Sequence, residues 1–141
     1  MKGLTISAWR DGQYVSLAEL LLVLGRLVLK LEWRVRLVEV APGPWAAQLE
    51  DLSPEDTLNT FQLLHRATPD VQIIDGEIVG FEAQNALIPV LLFRAVDSTS
   101  WDIEVEKEEV IAMLRVAYPE ASLFLADRTA PATCTRRDDD L

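Results

Sequence analysis

The stretch "LLFRAVDSTSWDIEV", Leu91 to Val105, decides how the rest of the chain is read. Its first half ends the run "LIPVLLFRAV", which beyond Pro89 is apolar on both faces, as expected of a central strand covered on both sides. Its second half alternates, with Trp101, Ile103 and Val105 on one face and Asp102 and Glu104 on the other. Two strands joined by so short a turn must be antiparallel. A two- or four-residue loop would put Arg94 in the apolar layer of Trp101. A three-residue loop, Ser98-Thr99-Ser100, instead pairs Arg94 with Glu104, Ala95 with Ile103 and Phe93 with Val105, keeping ionic and apolar partners together. Asp97 then opens the turn, where its side chain can accept a backbone N–H.

Downstream, Glu106 to Glu109 open a helix carrying Val110, Ile111, Met113, Leu114 and Ala117, which Pro119 ends; Leu123 to Ala126 adds an edge strand. Upstream, "VQIIDGEIVGF" reads as a hairpin around Asp75-Gly76 that pairs Ile73 with Ile78. Ser53-Pro54-Glu55-Asp56 is a helix start, with Leu58, Phe61 and Leu64 as its buried stripe. "EWRVRLVEV", Glu32 to Val40, is a strand with one wet face whose phase slips at Val38-Glu39-Val40, the mark of a bulge. Trp45 to Leu52 is a short helix or a wrapping loop.

At the N-terminal side, Asp11-Gly12 suits a tight hairpin in which Trp9 faces Tyr14. Ser16 and Glu19 form a capping box for an apolar helix from Leu17 to Leu31. With only fifteen residues and three charges, Glu19, Arg26 and Lys30, that helix is core and not a membrane span. The expected fold is a single α+β domain over 1–127, mainly antiparallel sheet with about three helices packed on it. The segment 128–141 has too little apolar surface to order itself and reads as a flexible tail.

A chain of 141 residues, half of them hydrophobic, can bury one core. Its net charge of −10 argues against nucleic acid, which needs a basic surface to release counterions. The acid is gathered in two blocks: eight acidic residues against Arg66 from Glu50 to Glu82, and seven against Lys107 and Arg115 from Asp97 to Glu120. Such blocks focus a field towards a cationic partner. The lone cysteine, Cys134, forms no internal disulfide, and with no secretory leader pattern a cytoplasmic location is the expectation.

Chemistry-bearing motifs are sparse. Ser98 and Ser100 lack a nucleophile elbow or a glycine-rich donor loop, and His65, the single histidine, falls in the last turn of an expected helix. One cysteine and one histidine do not make a zinc site. Asp97, Asp102 and Glu104 leave room for carboxylate chemistry or a hard cation, although solvated strand-face charges explain them as well. No catalytic residue, metal or cofactor is assigned.

The segments "IIDGEIVGF" and "LLFRAVDSTSWDIEVEKEEVIAMLRVAYP" resemble the C-terminal half of small uncharacterised bacterial proteins, some of which are similar to immunity proteins of toxin systems. That resemblance implies protein binding. The leading expectation is a non-enzymatic acidic domain that covers a basic toxin, with Asp97, Asp102 and Glu104 as contacts, Trp101 as aromatic anchor and Trp45 as a second anchor. The alternatives are a secretion-chaperone-like cargo binder, for which a homodimer is expected, and a carboxylate-dependent hydrolase.

Overall fold

Trp33, Phe93 and Trp101 are fully buried side by side, with ring centroids 5.8 Å apart for Trp33–Phe93 and 6.4 Å for Phe93–Trp101. They come from three different strands of one sheet, and the chain is arranged around them. The computed structural model describes residues 1–125. In chain order the elements are β1 (Lys2–Ser7), β2 (Trp9–Arg10), β3 (Gln13–Tyr14), α1 (Leu17–Leu24), β4 (Leu31–Val40), α2 (Ala46–Glu50), β5 (Leu58–Asn59), α3 (Thr60–Arg66), β6 (Ile73–Glu82), β7 (Asn85–Val96), β8 (Ser100–Val105), α4 (Glu108–Ala117) and β9 (Ser122–Leu125). Seven strands make one antiparallel sheet in the order β5-β4-β6-β7-β8-β1-β9, and β2 and β3 form a separate hairpin.

The α+β class and the antiparallel sheet are as the residue pattern predicts. Alternation sends Leu4, Ile6, Trp33, Val35, Ile78, Phe93, Trp101 and Ile103 to the face covered by the helices, where they meet Leu17, Leu20, Leu21 and Leu24 of α1 and Ile111 and Leu114 of α4. Both buried indoles keep their N–H groups satisfied: Trp33 Nε1 donates to Thr60 Oγ1 at 2.9 Å, and Trp101 Nε1 donates to the Val15 carbonyl at 2.8 Å. Gly80 backs directly onto Trp33, because a Cβ there would lie 2.8 Å from the indole ring. The expected bulge is present as register shifts around Glu39. The Asp11-Gly12 hairpin sets Trp9 opposite Tyr14, and β9 lies at the sheet edge beside β1.

Four expectations about where elements begin, end and pair are corrected. Asp75-Gly76 is not a turn. The strand β6 runs through it, paired with β4 on one side and β7 on the other, and Asp75 stays out of the positive-φ region that a tight turn demands. Helix α1 stops at Leu24, where Gly25 takes φ +50° and its N–H bonds the Leu21 carbonyl; a 3-10 turn then leads into β4. The acidic Ser53 motif starts no helix, because its capping groups are used locally: Asp56 Oδ2 accepts the Ser53 N–H and the Ser53 hydroxyl accepts the Glu55 N–H. The helix α3 begins at Thr60 under a full capping box of Asn59 and Gln62, so Thr60 and Leu63 are its buried residues while Phe61 is exposed.

The fourth correction concerns the deciding hairpin. Arg94 pairs with Asp102, Ala95 with Trp101 and Phe93 with Ile103, two residues from the expected register, and the turn residues are Asp97, Ser98 and Thr99. An even shift preserves the faces, so Arg94 still shares its side with Asp102 and Glu104. The run Leu87-Ile88 is exposed, so only Leu91 to Ala95 of β7 is covered on both sides. The expected tail, with Cys134 and the 127/128 boundary, lies outside the described residues. Among the described residues no helix is long and apolar enough to cross a membrane.

Candidate functional site

The turn after β7 is anchored by side-chain and backbone hydrogen bonds from elsewhere in the chain. Asp97 and Ser98 both adopt left-handed backbone, at φ +51° and +58°. Thr99 N–H closes the turn on the Val96 carbonyl at 2.9 Å, giving the twist that suits a tight hairpin. Two successive non-glycine residues in this region are strained, and they persist only where the surroundings over-determine them. Here two other segments do so, the run Gln72 to Asp75 and the strand β2 at Trp9. Asp97 N–H donates to Asp75 Oδ1 at 2.8 Å, and Ser98 N–H donates to the Ile74 carbonyl at 2.8 Å. Trp9 Nε1 donates to the Ser98 carbonyl at 2.8 Å, and Gln72 Nε2 donates to the Ser98 hydroxyl at 2.8 Å.

This network defines one end of the molecule. Trp9 stands on one flank of the turn, packed edge-on against Tyr14 at 5.5 Å. On the other flank Gln72 lines a cleft of about 330 Å³ with Pro42, Pro44, Trp45, Asp70 and Val71. Trp9 is 42% exposed and Trp45 45% exposed, and Asp70, Asp75 and Asp97 are exposed beside them. Pro69 turns the other way and lines a second cleft, of about 430 Å³, with Tyr14, Ser16, Glu19, Leu22 and Val23. The segment Pro69 to Gln72 is therefore a rib between two clefts.

The expected site residues are thus divided. Asp97 and Trp45 lie at this end. Asp102 and Glu104 lie on the sheet face that carries no helix: Asp102 Oδ1 accepts the Thr5 hydroxyl at 2.8 Å, and Glu104 Oε2 accepts Arg94 Nη1 at 3.2 Å. The same guanidinium donates through Nε to Glu77 Oε2 at 3.1 Å, and Arg36 Nη2 is 3.2 Å from Glu77 Oε1. Arg36, Glu77, Arg94 and Glu104 thus form an ion ladder across four strands. Beside it Val79, Phe81 and Leu92 form a small apolar cluster, with the Arg34 guanidinium 5.1 Å from the Phe81 ring centre. Trp101 is fully buried and presents no surface to a partner, so its part is in the core.

Among the described residues no three His, Cys, Asp or Glu side chains converge as a metal site would require. His65 lies in a shallow depression with Phe61, Gln62 and Arg66. The contributions of Trp9, Gln72 and Asp75 escape a reading by spacing. Reading Asp75-Gly76 as a turn conceals a strand that supplies an acceptor to a neighbouring loop. The pairing of Trp9 with Tyr14 was the one available signal, and it did not say that the indole N–H reaches across to Ser98. Compared with protein-family models, curated proteins and solved structures, the chain matches none.

Proposed function

We propose that this chain is a non-enzymatic protein-binding domain that docks a cationic partner, in the manner of an immunity protein covering a basic toxin. The docking surface is the end of the sheet that carries Trp9, Trp45, Asp75 and Asp97. The observation that supports this most directly is the strained Asp97-Ser98 turn, pinned by Trp9 and Gln72 between two half-exposed tryptophans. Exposed indoles in a rigid frame are the residues that act as binding anchors, and a turn already held in place adds little ordering cost on association. The surrounding carboxylates and the net charge of −10 speed encounter with a positive surface. The choice of a toxin as the cationic partner rests on the likeness of the C-terminal segments to small uncharacterised bacterial proteins, some of which resemble immunity proteins.

The test uses a partner purified from the native host and association kinetics followed for variants. Trp45→Ala is expected to raise the off-rate roughly tenfold or more, a loss typical of an anchor residue. Asp97→Asn should lower the on-rate and weaken its salt dependence. Asp102→Asn, on the helix-free face, should change neither. If Asp102→Asn is the variant that slows binding while Trp45→Ala and Asp97→Asn are silent, the docking surface is the sheet face and this assignment is wrong.

A further inference from the structure

The second cleft beside the rib has an unusual inventory of polar groups. The Ser16 hydroxyl is committed to the Glu19 N–H at 3.1 Å, where it caps α1. The Tyr14 hydroxyl is committed to Ile73, accepting its N–H at 3.0 Å. Of the Glu19 carboxylate, Oε2 accepts the Tyr118 hydroxyl at 2.6 Å, and Oε1 accepts no hydrogen bond from the described residues. No Lys, Arg or His nitrogen of the described residues lies within 4.0 Å of that carboxylate. Arg10 is engaged elsewhere, stacked 5.1 Å from the Tyr118 ring centre and donating to the Ala117 carbonyl at 3.0 Å. The remaining walls are Leu22, Val23, Pro69 and the Tyr14 ring, and Leu22 is 67% exposed.

We infer that this cleft is a receptor for a lysine side chain, whose aliphatic stem lies along Leu22, Val23 and Pro69 and whose ammonium meets Glu19 Oε1. A four-carbon chain with a terminal point charge matches apolar walls that end in one anionic acceptor. Arginine matches less well. Its planar fork binds best to both oxygens of a carboxylate, and Tyr118 already holds one of them. The inference deepens the cationic-partner reading and rests on it for its biological meaning, since the rib places this cleft next to the Trp45 cleft. Its chemistry can be tested without a partner.

The probe is Nα-acetyl-lysine methylamide, titrated into the full chain while the backbone amide resonances of Leu22 and Val23 are followed. The norleucine and arginine analogues serve as comparisons. Wild-type protein should bind the lysine amide at least about fivefold more tightly than either, a difference that corresponds to one modest ion pair. Glu19→Gln keeps a carbonyl for Tyr118 and should erase the lysine preference without lowering the thermal midpoint by more than a few degrees. Tyr118→Phe frees the second oxygen and should bring the arginine amide up to the lysine amide. Trp45→Ala should leave all three titrations unchanged, so loss of partner binding in that variant leaves the cleft standing. Equal shifts from lysine and norleucine amides, or a lysine preference that survives Glu19→Gln, would overturn the assignment whatever the partner experiments show.

Discussion

The Tyr118 hydroxyl donates a 2.6 Å hydrogen bond to Glu19 Oε2, tying the end of α4 to the first turn of α1 across 99 positions of sequence. Glu19 was expected to close a capping box, yet only the Ser16 half of that box forms, because the carboxylate is drawn to the phenol instead. Burial, reinforced by the hydrogen bond and the charge of Glu19, pushes the Tyr118 phenol well above its ordinary value. The folded chain therefore keeps a proton at Tyr118 that the unfolded chain releases above about pH 10, so stability is intact below that pH and falls as pH rises through it. Tyr14 acts in the same direction, its upward shift by burial partly offset by the bond to Ile73. Tyr118→Phe should cost about 1–2 kcal/mol at neutral pH and flatten the alkaline loss, measured by urea melts at pH 7 and pH 11.

The Arg94–Glu77 pair is buried, and removing one partner strands the other. Arg94→Ala is expected to destabilise by about 3–5 kcal/mol, whereas the double replacement Glu77→Leu with Arg94→Met should lose far less. Additive losses in denaturant melts would show that the ladder is not coupled.

Gly80 and Gly43 make a matched comparison. A Cβ at Gly80 would meet the Trp33 ring at 2.8 Å, whereas a Cβ at Gly43 meets nothing within 4 Å. Gly80→Ala should cost about 1–3 kcal/mol through overpacking and shift the tryptophan emission, and Gly43→Ala should be within about 0.5 kcal/mol of the parent. Comparable thermal midpoints for the two variants would contradict the close packing of β6 on Trp33.

The turn offers a backbone test. Asp75→Asn retains an acceptor for the Asp97 N–H, but Asp75→Ala leaves that donor without its protein partner and should cost about 1 kcal/mol. Asp97→Val, a β-branched residue at φ +51°, should cost about 1–2 kcal/mol, and Asp97→Gly should not destabilise. Thermal melts of the four proteins decide this.

What the residue pattern revealed was what local rules govern. Strand alternation at Trp33-Val35 and Trp101-Ile103 set the faces, and the Asp11-Gly12 turn was legible because nothing distant competes for it. The failures share a cause. Asp75-Gly76 and Ser53 to Asp56 carry strong local signals, but β4 and β7 extend the first, and the second satisfies its own backbone in a turn. The register of β7 on β8 was off by two because ionic matching alone cannot choose between Asp102 and Glu104 opposite Arg94, and the structure uses both. Asp97 and Trp45 were found singly. Their union at one end depended on Trp9 and Gln72 reaching Ser98 from 89 and 26 positions away, which spacing does not disclose.

The place of β1 has a consequence for the order of events during synthesis. Lys2 to Ser7 is inserted between β8 and β9, opposite Ser100 to Val105 and Ser122 to Leu125. A ribosome must therefore make about a hundred residues before the first strand has a neighbour, while β4, β6 and β7 can already pair among themselves as they emerge. During that interval Leu4 and Ile6 have no sheet to join, and the apolar face of α1 waits for α4. A chain stalled before Trp101 would therefore carry β1 without either of its sheet partners and be a natural target for chaperones or proteases.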